Sequence, residues 1–280
     1  MTTHVVSGGG NRLSSNRKGF TLAEGATHRD PAFRLSIEKK GGKGHCQRRF
    51  GFTLAEVLVT LGIIGVVSAM TVPSLMQNYQ RQSYVTQLHK VYNEMQQAFE
   101  RYKSDNNAIN LREAGMNDQT SVNNFVNTYF KVVNSCLDPN EIKPCFDNPE
   151  NYRKISGESA DAFDNNNEDE GTGMSFTLAS GASIRPWKPN NRSDLTFIVA
   201  VVDVNGPKPP NIYGRDFFEM CIDVDGNIDG CFKSGGDAAM SLPLTTEQRE
   251  DLFNSYCLGG GNSLVGCFGK ILNDNWQMTY

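Results

Sequence analysis

Apolar positions along this chain follow three different rhythms. From Val57 to Met76 no charged side chain occurs for 20 residues, a run that spans a hydrocarbon core of about 30 Å as a helix. From Val85 onward the rhythm turns amphipathic. Val85, Leu88, Tyr92, Met95, Phe99 and Tyr102 step by 3, 4, 3, 4 and 3, which lays one apolar stripe along a helix. Gln, Asn, Lys and Glu fill its other faces, and His89 is explained as a polar-face position. Together the two stretches predict one helix over 52–103, roughly 75 Å long at 1.5 Å per residue. Residues 52–76 form its apolar half and 77–103 its amphipathic half, with Asp105-Asn106-Asn107 as the stop. The short stripe fits packing on the chain's own sheet better than a coiled coil.

Beyond residue 104 the rhythm shortens. Residues 104–170 are rich in Asn and Asp, with small apolar patches such as Phe125-Val126 and Tyr129–Val133; they predict one short helix and loops, Asp161–Glu170 being solvated. Strand patterns follow. Met174–Leu178 and Ala182–Arg185 flank a Ser180-Gly181 turn, and Leu195–Val204 (LTFIVAVVDV) is the strongest β run. Phe217–Val224 and Ile228–Phe232 flank Asp225-Gly226, a favoured two-residue turn. Thr245-Thr246-Glu247-Gln248 opens a short helix to Tyr256 as a capping box, and Val265–Tyr280 is mixed. The economical architecture is α+β: a long N-terminal helix packed on an antiparallel sheet of four or more strands.

Charge adds an orientation. Residues 1–51 carry ten Lys/Arg against three Asp/Glu, and the remainder 17 against 28, or −11. Basic residues stay on the cytoplasmic side, so the helix is expected to run N-in and to export residues 104–280. An acidic exported part lacks the Lys/Arg clusters that nucleic-acid binding needs. Cysteine usage agrees with export. Cys46 precedes the apolar run, while Cys136 and Cys145, Cys221 and Cys231, and Cys257 and Cys267 form three close pairs. Six cysteines allow 15 pairings; the short spacings favour three local disulfides. Metal-ligating thiols usually show C-x₂₋₄-C spacing, which these pairs lack.

The start of the apolar run is its oddest part. Arg48-Arg49-Phe50-Gly51 precede Phe52-Thr53-Leu54-Ala55-Glu56, which puts a carboxylate where a plain anchor has no use for one. The run is too long for a cleaved secretory signal, and it lacks a small-x-small site at its end. Gly51–Glu56 followed by an apolar helix resembles the class III signal of type IV pilins and type II secretion pseudopilins. The resemblance covers about 50 residues. It implies a membrane peptidase that cuts between Gly51 and Phe52, discards residues 1–51 as a basic leader, and methylates the new amine of Phe52. Glu56 then stands at the family's acidic fifth position, where it pairs in a filament with the Phe52 amine of a neighbour. Such a pair offsets a desolvation cost that neither charge bears alone. Pro73 falls at the twenty-second mature position, where the family also tends to carry proline. Gly62, Gly65 and Pro73 read either as close-packing positions between membrane helices or as a stretch that loosens in a filament.

The resemblance implies a structural subunit, not an enzyme: a pilin-like fold packed with copies of itself and other pilins, dependent on prepilin peptidase, an inner-membrane assembly platform and an assembly ATPase. The precursor belongs in a bacterial inner membrane, and the assembled form in a cell-surface or periplasmic filament. The alternatives are a secretion pseudopilin and a membrane-anchored binding protein that never polymerises. GFTLAE also occurs at 19–24, followed by Gly25–Pro31, which cannot enter a bilayer. A local duplication, or upstream sequence brought in by a distant start codon, accounts for it.

Two acidic patterns remain. Asp203-Val204-Asn205-Gly206, Pro210-Asn211 and Gly214-Arg215-Asp216 resemble a loop that recurs in pilin-like heads. It reads first as turn chemistry. Its cofactor alternative is calcium on Asp203, Asn205 and Asp216, since hard cations take several oxygens. Asp223–Asp229 is a poor EF-hand, with Ile228 where Gly belongs, and reads as a hairpin. His4, His28 and His45 lie in the leader, and no hydrolase, zinc-protease or nucleotide-loop motif occurs.

Overall fold

The computed structural model describes residues 51–138, 141–160, 163, 173–187, 189–190, 196–232, 241–258 and 265–280. The leader up to residue 50, its GFTLAE copy, Cys46 and the acidic run 164–170 lie outside the described residues. Met1–Thr53 is one unit and Leu54–Tyr280 another. Of the first, Gly51, Phe52 and Thr53 are irregular and exposed.

Helix α1 runs unbroken from Leu54 to Asp105, 52 residues, and so begins and ends two residues later than its pattern predicts. Pro73 lies within it without ending it. Hydroxyls in the apolar half bond back to the helix: Thr60 Oγ1 donates to Val57 O at 3.0 Å and Thr71 Oγ1 to Val67 O at 2.9 Å. That keeps polar groups satisfied inside a segment that offers them no other partner. Asn107 follows with a φ of 52°, the left-handed step that Asn tolerates at a helix end.

The apolar stripe buries as expected, with two additions. Val85, Leu88, Val91, Met95, Ala98 and Phe99 are buried, whereas Tyr92 and Tyr102 stay half-exposed. The stripe is therefore wider than a two-step pattern, because a sheet is a broader partner than a second helix. The short helix α2 spans Gln119–Tyr129, opened by an Asp118/Ser121 capping box, and its Phe125 stacks on Phe99 at 5.0 Å.

Six antiparallel strands form one meander in chain order: β1 Val132–Cys136, β2 Ser175–Leu178, β3 Ser183–Pro186, β4 Ile198–Asp203, β5 Phe217–Ile222 and β6 Ile228–Gly230. β4 is central, pairing Ile184 with Val202 on one side and Val202 with Phe218 on the other. Ile198, Ala200 and Val202 face α1 and α2, while Val201 faces a second cluster containing Phe146, Tyr152, Tyr213 and Phe217. Burial on both faces explains why this run reads as continuously apolar, not alternating.

Three elements differ from expectation. β1, in an Asn/Asp-rich region, is a strand with a bulge between Val132 and Asn134. The β5–β6 connection is a five-residue loop, since Ile222 pairs with Ile228. Asp223 closes that loop, accepting from Asn227 N at 2.8 Å and Asn227 Nδ2 at 2.7 Å, so Asp225-Gly226 sit at its tip and not as a two-residue turn. The capping-box helix α3, Thr246–Leu252, widens into a π turn over Phe253–Cys257 before a last helix α4, Cys267–Asn273.

Candidate functional site

The N-terminal half of α1 is the part of the chain built for contact with something else. Every residue from 51 to 80 is exposed, including Phe52 at 86% and Met70 at 76%. Among the described residues α1 is the one helix long and apolar enough to cross a membrane, and the window that qualifies buries nothing against the rest of the chain. Gly62 and Gly65 have open space where a Cβ would stand, so another helix can approach there closely. Glu56 sits in the first turn, at the positive end of the helix dipole, five residues after Gly51. Leu54–Met76 thus presents one acid in its first turn followed by an apolar rod.

Residues 46–72 match the prokaryotic N-terminal methylation motif. The chain carries a prepilin-type signal. Over 76 residues it is 34% identical to the type II secretion system core protein G of Pectobacterium carotovorum subsp. carotovorum, covering 27% of this chain and 47% of that relative. Core protein G of Aeromonas hydrophila is 33% identical over 70 residues, covering 25% and 48%. That of Klebsiella pneumoniae is 37% identical over 73 residues, covering 25% and 49%. The chain spans about half the length of the curated relatives it matches. No solved structure matches it.

Downstream of α1, three disulfides staple the part of the chain beyond the helix: Cys136–Cys145, Cys221–Cys231 and Cys257–Cys267, with Cα atoms 6.2, 4.8 and 5.1 Å apart. Each closes a local loop. The first ties the end of β1 to the segment beneath the sheet, the second joins β5 to the residue after β6, and the third joins the π turn to the start of α4.

The structure brings Asp203 and Asp216 together in the β4–β5 connection, both fully buried. Asp203 Oδ2 accepts from the Tyr152 hydroxyl at 2.9 Å and Oδ1 from Asn205 N at 3.2 Å. Asp216 accepts from Asn211 N at 2.9 Å and Ile212 N at 2.7 Å. Asn205 spends its amide hydrogens on the carbonyls of Lys208 and Pro209. These bonds fold 203–216 into a self-supporting turn, as the Asp/Asn/Gly chemistry predicts. Burial, then the charge of Asp216, raises Asp203 well above the ordinary carboxylate range; burial raises Asp216 as well. Neither carboxylate forms an ion pair among the described residues. The amide oxygens of Asn205 and Asn211 are buried without a protein partner. Two carboxylates and two orphan amide oxygens are hard donors of the kind calcium takes.

Sequence reasoning missed Tyr152, whose ring lies among Phe163 and Phe217 at 4.9 and 4.8 Å and whose hydroxyl caps Asp203. Nothing around Tyr152 signals this partnership, formed across 51 positions. It also missed the partner of Asp229. Set in a segment that superficially resembles a calcium loop, Asp229 is fully buried and meets Arg249 in a two-pronged pair at 2.9 and 2.6 Å, fastening α3 to β6. His89 is not a solvated face residue; its ring stacks on Trp276 at 4.0 Å and fixes the C-terminal segment to α1.

Proposed function

We propose that this chain is a pilin-like filament subunit, made as a membrane-anchored precursor, cut between Gly51 and Phe52 and methylated at Phe52. The carrying observation is the wholly exposed apolar half of α1 behind a single first-turn acid. A plain anchor needs the apolar run but not Glu56. In a filament, apolar helices cover one another, Glu56 meets a neighbour's Phe52 amine, and Pro73 marks where the helix can yield. The acidic, disulfide-stapled head faces outward on the exported side and acts structurally, not as an enzyme. Prepilin peptidase, an inner-membrane platform and an assembly ATPase are the partners this reading requires.

A secretion pseudopilus is the second form of the same reading, favoured by the type II secretion relatives. Their matches run over 70 to 76 residues, about a quarter of this chain, so they leave the role of most of the head open. Glu56→Ala tests the shared core of both forms. Membrane anchoring should persist while filaments disappear from shear fractions and electron micrographs. Normal filaments from the variant would defeat the charge-pairing argument.

For the head we propose a calcium ion on Asp203, Asn205 and Asp216, supported by the unpaired carboxylates and the orphan amide oxygen of Asn205. Calcium at about 1 mM should raise the melting temperature of the protein by several degrees, and Asp216→Asn should abolish the rise. An unchanged melting temperature would leave the turn as structure alone.

A further inference from the structure

The three disulfides close loops of nearly equal length, their partners 9, 10 and 10 positions apart, yet they sit differently around the β4–β5 turn. Cys136, Cys145, Cys257 and Cys267 all belong to the apolar cluster that also holds Tyr152, Tyr213 and Phe217. Cys221 and Cys231 belong to a third cluster, with Leu242, Leu244, Leu252 and Val265, that contains no residue of the turn.

Two disulfide-borne segments hold the turn from outside. Behind Cys145, Asp147 Oδ2 accepts from Asn211 Nδ2 at 3.2 Å, and the Tyr152 hydroxyl donates to Asp203 at 2.9 Å. The same segment lies alongside the turn as an isolated parallel bridge: Arg153 N donates to Asn211 O at 3.0 Å, and Tyr213 N to Arg153 O at 2.8 Å. From the other side, the Tyr280 hydroxyl donates to Gly214 O at 2.8 Å and lies 3.4 Å from Cys267 O. The two segments meet at Gly214. A Cβ there would stand 2.7 Å from Cys267 Sγ and 3.0 Å from Ile155 Cδ1, and its φ of 83° is left-handed, so glycine alone lets both press against the turn. Bonds within 203–216 close the turn on itself. Its acids are placed by these outer contacts, Asp203 directly and Asp216 two residues from Gly214.

We infer that Cys136–Cys145 and Cys257–Cys267 form an oxidative latch that sets the 203–216 turn, the candidate cation site, in its folded form, while Cys221–Cys231 only joins β5 to the residue after β6. Each bridge forms as two thiols give two electrons and two protons to the disulfide of a protein oxidant, which leaves as a dithiol. Until then the segments carrying Asp147 and Cys267 have no covalent tie beside the turn, and the turn is not held. All four cysteines are buried, so the latch closes once, on folding, and is not a reversible sensor. What this means for an ion rests on the calcium and exported-head readings above.

The test is hydrogen exchange of the full chain in detergent without calcium, comparing C257A/C267A and C136A/C145A with C221A/C231A. Loops of such similar length lose nearly the same chain-entropy stabilisation, so general weakening should be alike in all three. Amides of 204–216 should exchange about tenfold faster in the first two variants than in the third, with 87–99 protected in all. Equal acceleration in the three, or none, would overturn the latch. Should a cysteine variant leave 87–99 unprotected, Tyr280→Phe in the oxidised chain decides. Its amides at 213–216 should exchange severalfold faster, and wild-type exchange would overturn the latch. Melting temperatures with calcium at about 1 mM then read the ion separately. Wild type and C221A/C231A should show a rise that C257A/C267A loses; a rise kept in C257A/C267A would overturn the latch. The expected exchange pattern with no calcium response in any chain would uphold the latch and remove the calcium reading.

Discussion

The two halves of α1 are one continuous helix with opposite economies. In the half from 81 to 105, six side chains are buried on the sheet and α2, and stability is internal to the chain. In the half from 54 to 80 every side chain is exposed, and apolar residues such as Leu61 and Ile64 stand at 60% exposure. Exposed apolar surface on this scale needs lipid or another helix to cover it. The same secondary structure thus serves folding in one half and association in the other. Composition separates them, because beyond Glu56 charged residues return to the helix only after Met76.

Paired truncations break or sharpen that comparison most forcefully. Phe99→Ala removes a buried ring stacked on Phe125 and should cost about 3–5 kcal/mol of stability. Leu61→Ala removes a side chain that contacts nothing else in the head and should change the unfolding of the head by less than about 0.5 kcal/mol. Denaturant unfolding monitored at the head measures both. A large loss from Leu61→Ala would mean that the bare half folds back on its own chain, against the division drawn here.

A smaller effect concerns pH, and it again belongs to the head alone. Asp203 and Asp216 have raised affinities for their protons when folded, through burial first and, for Asp203, the charge of Asp216. Their contribution is fully present below the unfolded carboxylate value of about 3.9 and declines as pH rises toward their folded values. Asp147 works in the opposite sense. Burial opposes its ionisation, but the Asn148 N–H and the Asn151 amide hold it below the ordinary range, so its stabilisation is lost as pH falls beneath about 4. Between pH 4 and 7 the buried pair should therefore make the head less stable as pH rises, and Asp203→Asn should flatten the slope. Melting curves at fixed ionic strength decide it. A wild-type slope unchanged in Asp203→Asn would show that the pair does not set the pH response.

What was legible in the sequence follows the range of the interaction. The membrane-length run, the stripe from Val85 to Tyr102, the short-range cysteine pairs and the Thr245 capping box all depend on residues within about ten positions of each other. Their patterns survive on a string. β1 was not legible, because Val133 is 63% exposed and a bulge breaks its alternation. Nor were the Tyr152–Asp203 and Arg249–Asp229 contacts, which join residues 51 and 20 positions apart. The turn 203–216 was half legible. Its Asp, Asn and Gly announced a turn, but only the fold shows that both acids point inward and leave Arg215 outside.

The mildest prediction lies in that local class, at the start of α3. Thr245 Oγ1 accepts from Gln248 N at 3.2 Å, and Gln248 Oε1 accepts from Thr245 N at 2.9 Å. Two backbone donors that the helix leaves unpaired are satisfied by side chains three residues apart. Thr245→Ala removes one acceptor at an exposed site, so water replaces it and the loss should be about 1 kcal/mol. The Arg249–Asp229 pair still holds α3 to β6, which keeps the cost local. Because α3 lies far along the chain from the bare half of α1, anchoring and filament yield should stay at wild-type levels while the denaturation midpoint falls slightly. A variant that kept its midpoint but lost filaments would place α3 in an assembly contact, and the boundary between a self-sufficient head and an associating helix would have to be redrawn through the head itself.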